Sequence, residues 1–410
     1  MFYGWGTIHD LHHKEDSSFT NPESARRLRA LLNDVVTPLG PVLRRLKREK
    51  PSVAVLESLT TCMMGGAATL GWKAPAVTCA QRARLDPRVV YEETLERDGF
   101  DGIKVLYVPQ CQFLTQSMAT RIQDFQKSGG ILMADGECAS ALKPDIVVPV
   151  MSFAPPPETD HTEDVDARES ERSAASKTHK GTRLAKKIMQ GAASEMREKL
   201  AKKGYRPSSD SSSPEIVVYN RQWRGTKYLF AINDNRTFGD YVGPWGLVME
   251  KGLPFDGWVS TVDAEGKVGA VYELSRGEAV PFAREGGKVK VPVKFATNDG
   301  RMFVFLPSKI ASVEVATPES VTRGGVCDVA FTVNGVDGKP VPALLPVEIR
   351  LYDGAGCEID GGGWFCAEDG VAKVSFQTNL NDPPGDYRLV CKDRASGLSV
   401  ERTVLNVKRQ

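Results

Sequence analysis

Residues 101–136, DGIKVLYVPQCQFLTQSMATRIQDFQKSGGILMADG, constrain the fold more than any other stretch, because they read as strand, loop, helix and strand in quick succession. Ile103–Val108 is a short apolar run, rich in β-branched and aromatic residues, that halts at Pro109. Thr115 or Ser117 can cap a helix, since a hydroxyl satisfies one of the first free backbone N–H groups. Met118, Ile122 and Phe125 then recur at helical spacing, with Arg121, Gln123, Asp124 and Lys127 on the other face. Gly129-Gly130 ends the helix, glycine being the residue that tolerates a left-handed backbone there. Ile131–Ala134 restarts a buried strand at once. A strand–helix–strand unit of this length gives parallel strands joined by a right-handed crossover, so the stretch belongs to an α/β unit.

The neighbouring sequence extends that unit. SARRLRALLNDVV, from Ser24, carries Leu28, Leu31, Leu32 and Val35 at helical spacing. Pro38 breaks the pattern before Leu39, Val42, Leu43 and Leu46 resume it. SVAVLES, from Ser52, reads as a buried strand and residues 87–97 as a helix, which predicts a doubly wound sheet of four or five strands. Residues 154–180 are proline-led, charged and almost free of large apolar side chains, so they cannot offset their ordering entropy and are expected to be mobile. A helix is predicted over 182–203, and the serine-rich run 208–214 reads as a linker.

Beyond 214 the hydrophobic period switches from helical to two. EIVVYNRQW and KYLFAIND flank the tight turn Arg224-Gly225-Thr226, and AVYELS, KVKVPVKF and RMFVFLP follow, which predicts an antiparallel β-sandwich over 214–309. A second series of alternating strands with glycine-rich turns runs to the end, the pattern of an immunoglobulin-like sandwich.

A chain of 410 residues has room for two to four domains, and its net charge of +1 gives no support for a nucleic-acid partner. No run approaches the roughly 18 apolar residues of a membrane span, and the first residues lack the layout of a secretory signal. Eight cysteines, at 62, 79, 111, 138, 327, 357, 366 and 391, form no CxxC pair and have no histidine at zinc-ligand spacing, so neither a metal nor a cofactor is expected. The state of Cys327, Cys357, Cys366 and Cys391 is left open, since a disulfide among them needs an oxidising compartment.

Candidates for chemistry are few. Cys111 follows a strand and precedes a helix, where a thiol nucleophile can sit, but Gln110 and Gln112 flank it in place of glycines and no histidine lies nearby in sequence. His9, His12 and His13 crowd near the first residue, while His161 and His179 lie in the charged segment. Gly65-Gly66 has neither the spacing nor the lysine of a phosphate loop. Glu57, Asp135 and Glu137 fall at strand ends, where sites form in open α/β sheets and where acidic residues are more often solvated caps. Phe238, Tyr241 and Trp245 either stack on a sugar ring or plug the sandwich against its neighbour. No residue is assigned as catalytic.

PLGPVLRRLKREKPSVAVLES and the unit ending in SGGILMADG resemble the amidotransferase-like trimerisation domain that follows the catalytic barrel in family-42 β-galactosidases. TKYLFAINDNRTFGDYVGPWGLVMEKGLP with GRMFVFLP resembles the β-sandwich that succeeds it. PVEIRLYDGAGCEIDG with NDPPGDYRLVCKD resembles macroglobulin- or immunoglobulin-like modules of secreted bacterial proteins. The resemblance implies a multidomain chain: a flavodoxin-like, class I glutamine amidotransferase-like α/β domain over 49–212, then antiparallel β-sandwich domains over 213–309 and 310–410. Residues 1–48 would then be a barrel-exit remnant with connecting helices, YGWGTIHDLHHKED being similar to a barrel's last loop. The catalytic glutamates of such relatives lie on the barrel, so none carries over. What is implied is a non-catalytic scaffolding region, or alternatively part of an active glycoside hydrolase whose barrel lies ahead of this sequence or on a separate chain. The partners implied are a second copy or a barrel-bearing chain, contacted near Phe2, Trp5, Leu39, Val42 and Leu43, and a carbohydrate. Localisation stays open, such relatives often being exported.

Overall fold

The computed structural model describes residues 22–65, 74–150, 187–242, 248–263 and 265–407. Five parallel strands, Val53–Glu57, Arg88–Tyr91, Val105–Val108, Ile131–Ala134 and Ile146–Val147, lie in the order 2-1-3-4-5 by chain position. The side chains of Val53–Glu57 and Val105–Val108 are covered on both faces, which explains why VAVLE and VLYV are continuous apolar runs. On one face Val53, Val55 and Tyr107 pack with Cys79, Ala80, Met189 and Met196; on the other Ala54, Leu56 and Leu106 pack with Leu95, Met118 and Ile122.

The helix expected after Pro109 spans Gln116–Lys127, capped by Thr115, whose hydroxyl accepts the Met118 N–H at 3.2 Å. It ends in a Schellman motif: the Gly129 N–H reaches Gln126 O at 3.1 Å and the Gly130 N–H reaches Phe125 O at 3.0 Å. Gly129 takes φ +98°, the conformation that a side chain would strain.

Residues 87–97 depart from the helix expected of them. Arg88–Tyr91 is the edge strand and only Glu92–Asp98 is helical; the β-branched pair Val89-Val90 and the pull of the neighbouring strand outweigh local helix preference. Nor does Pro38 break the N-terminal helices. Pro22–Leu31 runs through a π-helical turn, Leu32–Val36, into Thr37–Leu43, with Pro38 directly after the π-helical turn and Pro41 inside the last segment. The segment 154–180 lies outside the described residues, as do Phe2 and Trp5.

A six-stranded sheet holds Lys47–Arg48, Ile216–Trp223, Thr226–Asn233, Gly300–Leu306, Ala270–Glu273 and Glu278–Val280 in that order. Ile216–Trp223 and Thr226–Asn233 form a hairpin through Arg224 (φ +44°) and Gly225 (φ +93°), both in the left-handed region that suits a two-residue turn. One face packs on a four-stranded sheet, with Ile216, Leu229, Phe303 and Phe305 against Val259 and Val291. The other face packs on the final sandwich, with Tyr228, Tyr272, Met302 and Val304 in one core with Phe331, Leu345 and Val347. The serine-rich run read as a linker is instead a strand, Ser209–Ser211, paired with Phe255–Val262.

The final sandwich has a three-stranded and a five-stranded sheet. It is antiparallel except that Ser320–Thr322 pairs parallel with Ser399–Val407. The N-terminal helices dock here, with Leu39 and Val42 buried in its core and Leu43 exposed. The apolar face expected around Leu39 and Val42 is therefore largely covered within the chain. No helix among the described residues is long and apolar enough to cross a membrane.

Candidate functional site

The carboxyl edge of the parallel sheet brings together side chains that are far apart in sequence. Ser58 caps the helix Leu59–Met64, its hydroxyl accepting the Thr61 N–H at 2.9 Å and donating to the buried carboxylate of Glu92. The other oxygen of Glu92 accepts from Thr60 at 2.7 Å. Thr61 donates to Phe113 O at 2.6 Å and accepts the Phe113 N–H at 3.1 Å, which stitches the loop after Val108 to this helix. The Cys111 thiol is fully buried, 3.4 Å from the Thr61 hydroxyl. Gln110, not Cys111, takes the left-handed backbone at φ +46°. Its N–H donates to Asp135 at 2.9 Å, and the second Asp135 oxygen accepts the Glu137 N–H at 3.1 Å.

These contacts decide what each candidate can do. Asp135 is buried and holds two loops together, while Glu137 is exposed. Glu57 stands two strands away from Asp135, roughly 10 Å at the backbone, with the Val105–Val108 strand between. Burial pushes the thiols of Cys79, Cys366 and Cys391 up to about 12 and that of Cys138 upward, the opposite of what an attacking thiolate requires. All eight cysteines are free, Cys327 and Cys391 buried, Cys366 half-buried and Cys357 exposed. Among the described residues no cluster of histidine, cysteine and carboxylate can hold a metal, and all five histidines lie outside them. The buried Tyr107 hydroxyl has no hydrogen-bond partner among the described residues; burial, then Asp135 and Cys79, raises its pKa.

Phe238 and Tyr241 lie in the strand Arg236–Val242, which pairs with Val248–Gly252. Their side chains, and Trp245 altogether, fall outside the described residues.

Sequence reasoning missed the groups that join the units. Asp210, in the middle of the supposed linker, accepts from Arg84 Nε at 2.9 Å and Arg197 at 2.7 Å. Arg82, 12% exposed, reaches Glu215 at 2.7 Å and Asp234 at 3.1 Å. Burial opposes the Asp210 charge, yet Arg197 and Arg84 outweigh it and hold its carboxyl below the ordinary value. Across the second junction the Tyr228 hydroxyl accepts the Leu344 N–H at 2.7 Å and donates to Leu344 O at 3.0 Å. Arg394 reaches Leu274 O, Ser275 O and Asp34 O at 2.9, 2.8 and 2.6 Å. No hydropathy pattern marks a polar residue as an inter-unit anchor. The one available signal was the alternation Ser209-Asp210-Ser211, with both serines buried.

No family model matches the chain, and no curated protein does. Among solved structures it is similar to alpha-L-fucosidase isoenzyme 2 from Paenibacillus thiaminolyticus, at 13% identity and a TM-score of 0.42 over 66% of this chain and 50% of that one. It is similar to a beta-galactosidase from Bacillus circulans sp. alkalophilus at 13% identity and a TM-score of 0.40, over 73% of this chain and 46% of that one. A third is a catalytic mutant of a GH42 beta-galactosidase from G. stearothermophilus, at 15% identity and a TM-score of 0.34 over 63% and 41% of the two chains. The chain thus spans half or less of the length of each of these proteins.

Proposed function

We propose that this chain is a non-catalytic assembly and scaffolding region of a glycoside-hydrolase-like protein, built from a flavodoxin-like, amidotransferase-like α/β unit and two sandwiches. The observation that carries the reading is where the buried polar groups are used. Asp135 is committed to loop backbone, and Asp210 to two arginines across the junction with the α/β unit. Groups used in this way fix geometry and are withdrawn from reaction. The strand order 2-1-3-4-5 supports the flavodoxin-like assignment, and the motifs ending in SGGILMADG and GRMFVFLP support the glycoside-hydrolase context. A unit locked on both sides of its central sheet suits a part that holds a catalytic barrel and its neighbours in register.

The test is turnover of a panel of aryl-glycosides by the purified chain. No release above buffer is expected. Turnover abolished by one carboxylate substitution within 22–407 would overturn the reading, and turnover appearing only when a barrel-bearing chain is added in trans would favour the alternative, part of an active glycoside hydrolase whose barrel lies on a separate chain.

A further inference from the structure

At the opposite, amino edge of the parallel sheet lies a cavity of about 300 Å³ where the α/β unit meets the six-stranded sheet. Ser52 and Lys104, which precede two central strands, form one wall, and Asn220, Lys227 and Val262 of the sandwich form another. Six cations line it, Arg48, Lys50, Arg84, Lys104, Arg206 and Lys227, against two acids, Glu49 and Asp86.

Pairing each cation with the acid it faces leaves a clear residue. Arg48 bonds Asp86, Lys50 bonds Asp101 and Arg84 bonds Asp210. Lys227 faces Glu49, which is half-buried and makes no hydrogen bond among the described residues. Lys104 and Arg206 have no carboxylate partner among them. The surroundings are correspondingly positive. Lys288, whose ammonium donates to Pro207 O at 3.1 Å beside the cavity, is lowered in pKa by burial first; Arg197, Arg206 and Arg84 add to the effect and Asp210 opposes it. A neutral donor is present too. Ser52 and Tyr205 share one hydrogen between hydroxyls 2.7 Å apart, which leaves the second hydroxyl hydrogen to give away.

We propose that this cavity binds a small tetrahedral dianion, a phosphate or sulfate group carried on a compact polar molecule. Lys104 and Arg206 supply the charge, the Ser52–Tyr205 pair supplies a neutral donor, and Leu85, Pro207 and Val262 give the body of the ligand an apolar wall. Lys104 and Arg206 are themselves exposed, so solvent and salt screen their attraction for a dianion, and the more shielded contact is the one to the Ser52–Tyr205 pair, whose Tyr205 is buried. Glu49 opposes the bound charge and sets the upper limit on affinity.

The experiment is calorimetric titration of the full chain at low salt with inorganic phosphate, with inorganic sulfate, and with glucose as an uncharged control. Heat from phosphate or sulfate but not glucose is expected, and the stronger of the two assigns the source. In K104A/R206A affinity falls about tenfold, and in E49Q it rises severalfold. Lys104 and Arg206 are exposed, so the double variant should melt with the parent. If it does not fold, R206A alone and E49Q carry the test. Absence of heat from both anions, unchanged affinity in the arginine variant, unchanged or weaker affinity in E49Q, or glucose binding as tightly as the anions overturns the proposal.

Discussion

Truncating Asp210 to alanine removes the one carboxylate shared by Arg84 and Arg197 at the junction between the α/β unit and the sandwich. Both guanidiniums are held in place, with side-chain exposures of 16% and 23%, and among the described residues no other carboxylate bonds either of them. Stripping one partner from a buried pair costs about 3–5 kcal/mol; residual exposure screens part of that, so about 2–3 kcal/mol is expected here. For cooperative units of 150–250 residues, that is roughly a 5–10 °C fall in Tm. Differential scanning calorimetry is the assay, because separation of one endotherm into two would also report uncoupling of the α/β unit. Replacing Arg197 by methionine as well removes one of the stranded charges, so the double variant should recover about 1 kcal/mol relative to additivity. A Tm change below about 1 °C, or strict additivity in the cycle, would refute the claim that Asp210 locks the seam.

Much of the architecture was legible because it is written in hydropathy. Continuous apolar runs such as VAVLE and VLYV lie in a sheet covered on both faces, and GRMFVFL has the same character for the same reason, its two faces serving two different cores. The cap at Thr115 and the stop at Gly129 were readable because each is a local requirement of one backbone group. Arg88–Tyr91 was misread because a four-residue edge strand leaves no period to detect. Ser209–Ser211 was misread because polar residues in a strand mimic a linker, their burial being set by partners far away in sequence. The seam illustrates the same limit. An ionic junction depends on which arginine reaches which aspartate, and 126 residues separate Arg84 from Asp210. Strand-end carboxylates were singled out by position alone, and position did not reveal that Asp135 bonds the backbone of two loops.

Three further outcomes are expected. Because the folded-state pKa of Asp210 lies below its ordinary 3.8, the stabilisation it gives is present above that value and is lost as pH falls through the folded value. The Tm gap between parent and D210A should therefore close as pH falls below about 4, and a gap constant with pH would contradict the assignment. Leu43 is 39% exposed beside the buried Leu39 and Val42, so L43S should leave Tm within a few degrees. Any change of mass in light scattering for that variant would place Leu43 in a contact between copies. The last outcome concerns the second junction, where the Tyr228 hydroxyl both accepts from and donates to the backbone of Leu344 in a site without solvent access. Y228F keeps the ring and its packing but leaves a buried N–H and a buried C=O without that partner, a cost of about 1–3 kcal/mol. If the two sandwiches fold as one unit through this contact, the whole β transition should move in chemical denaturation, followed by tryptophan fluorescence, with its slope unchanged. A shift confined to one of two separable β transitions would show that the sandwiches are stabilised independently and that the shared core between them does not couple their folding.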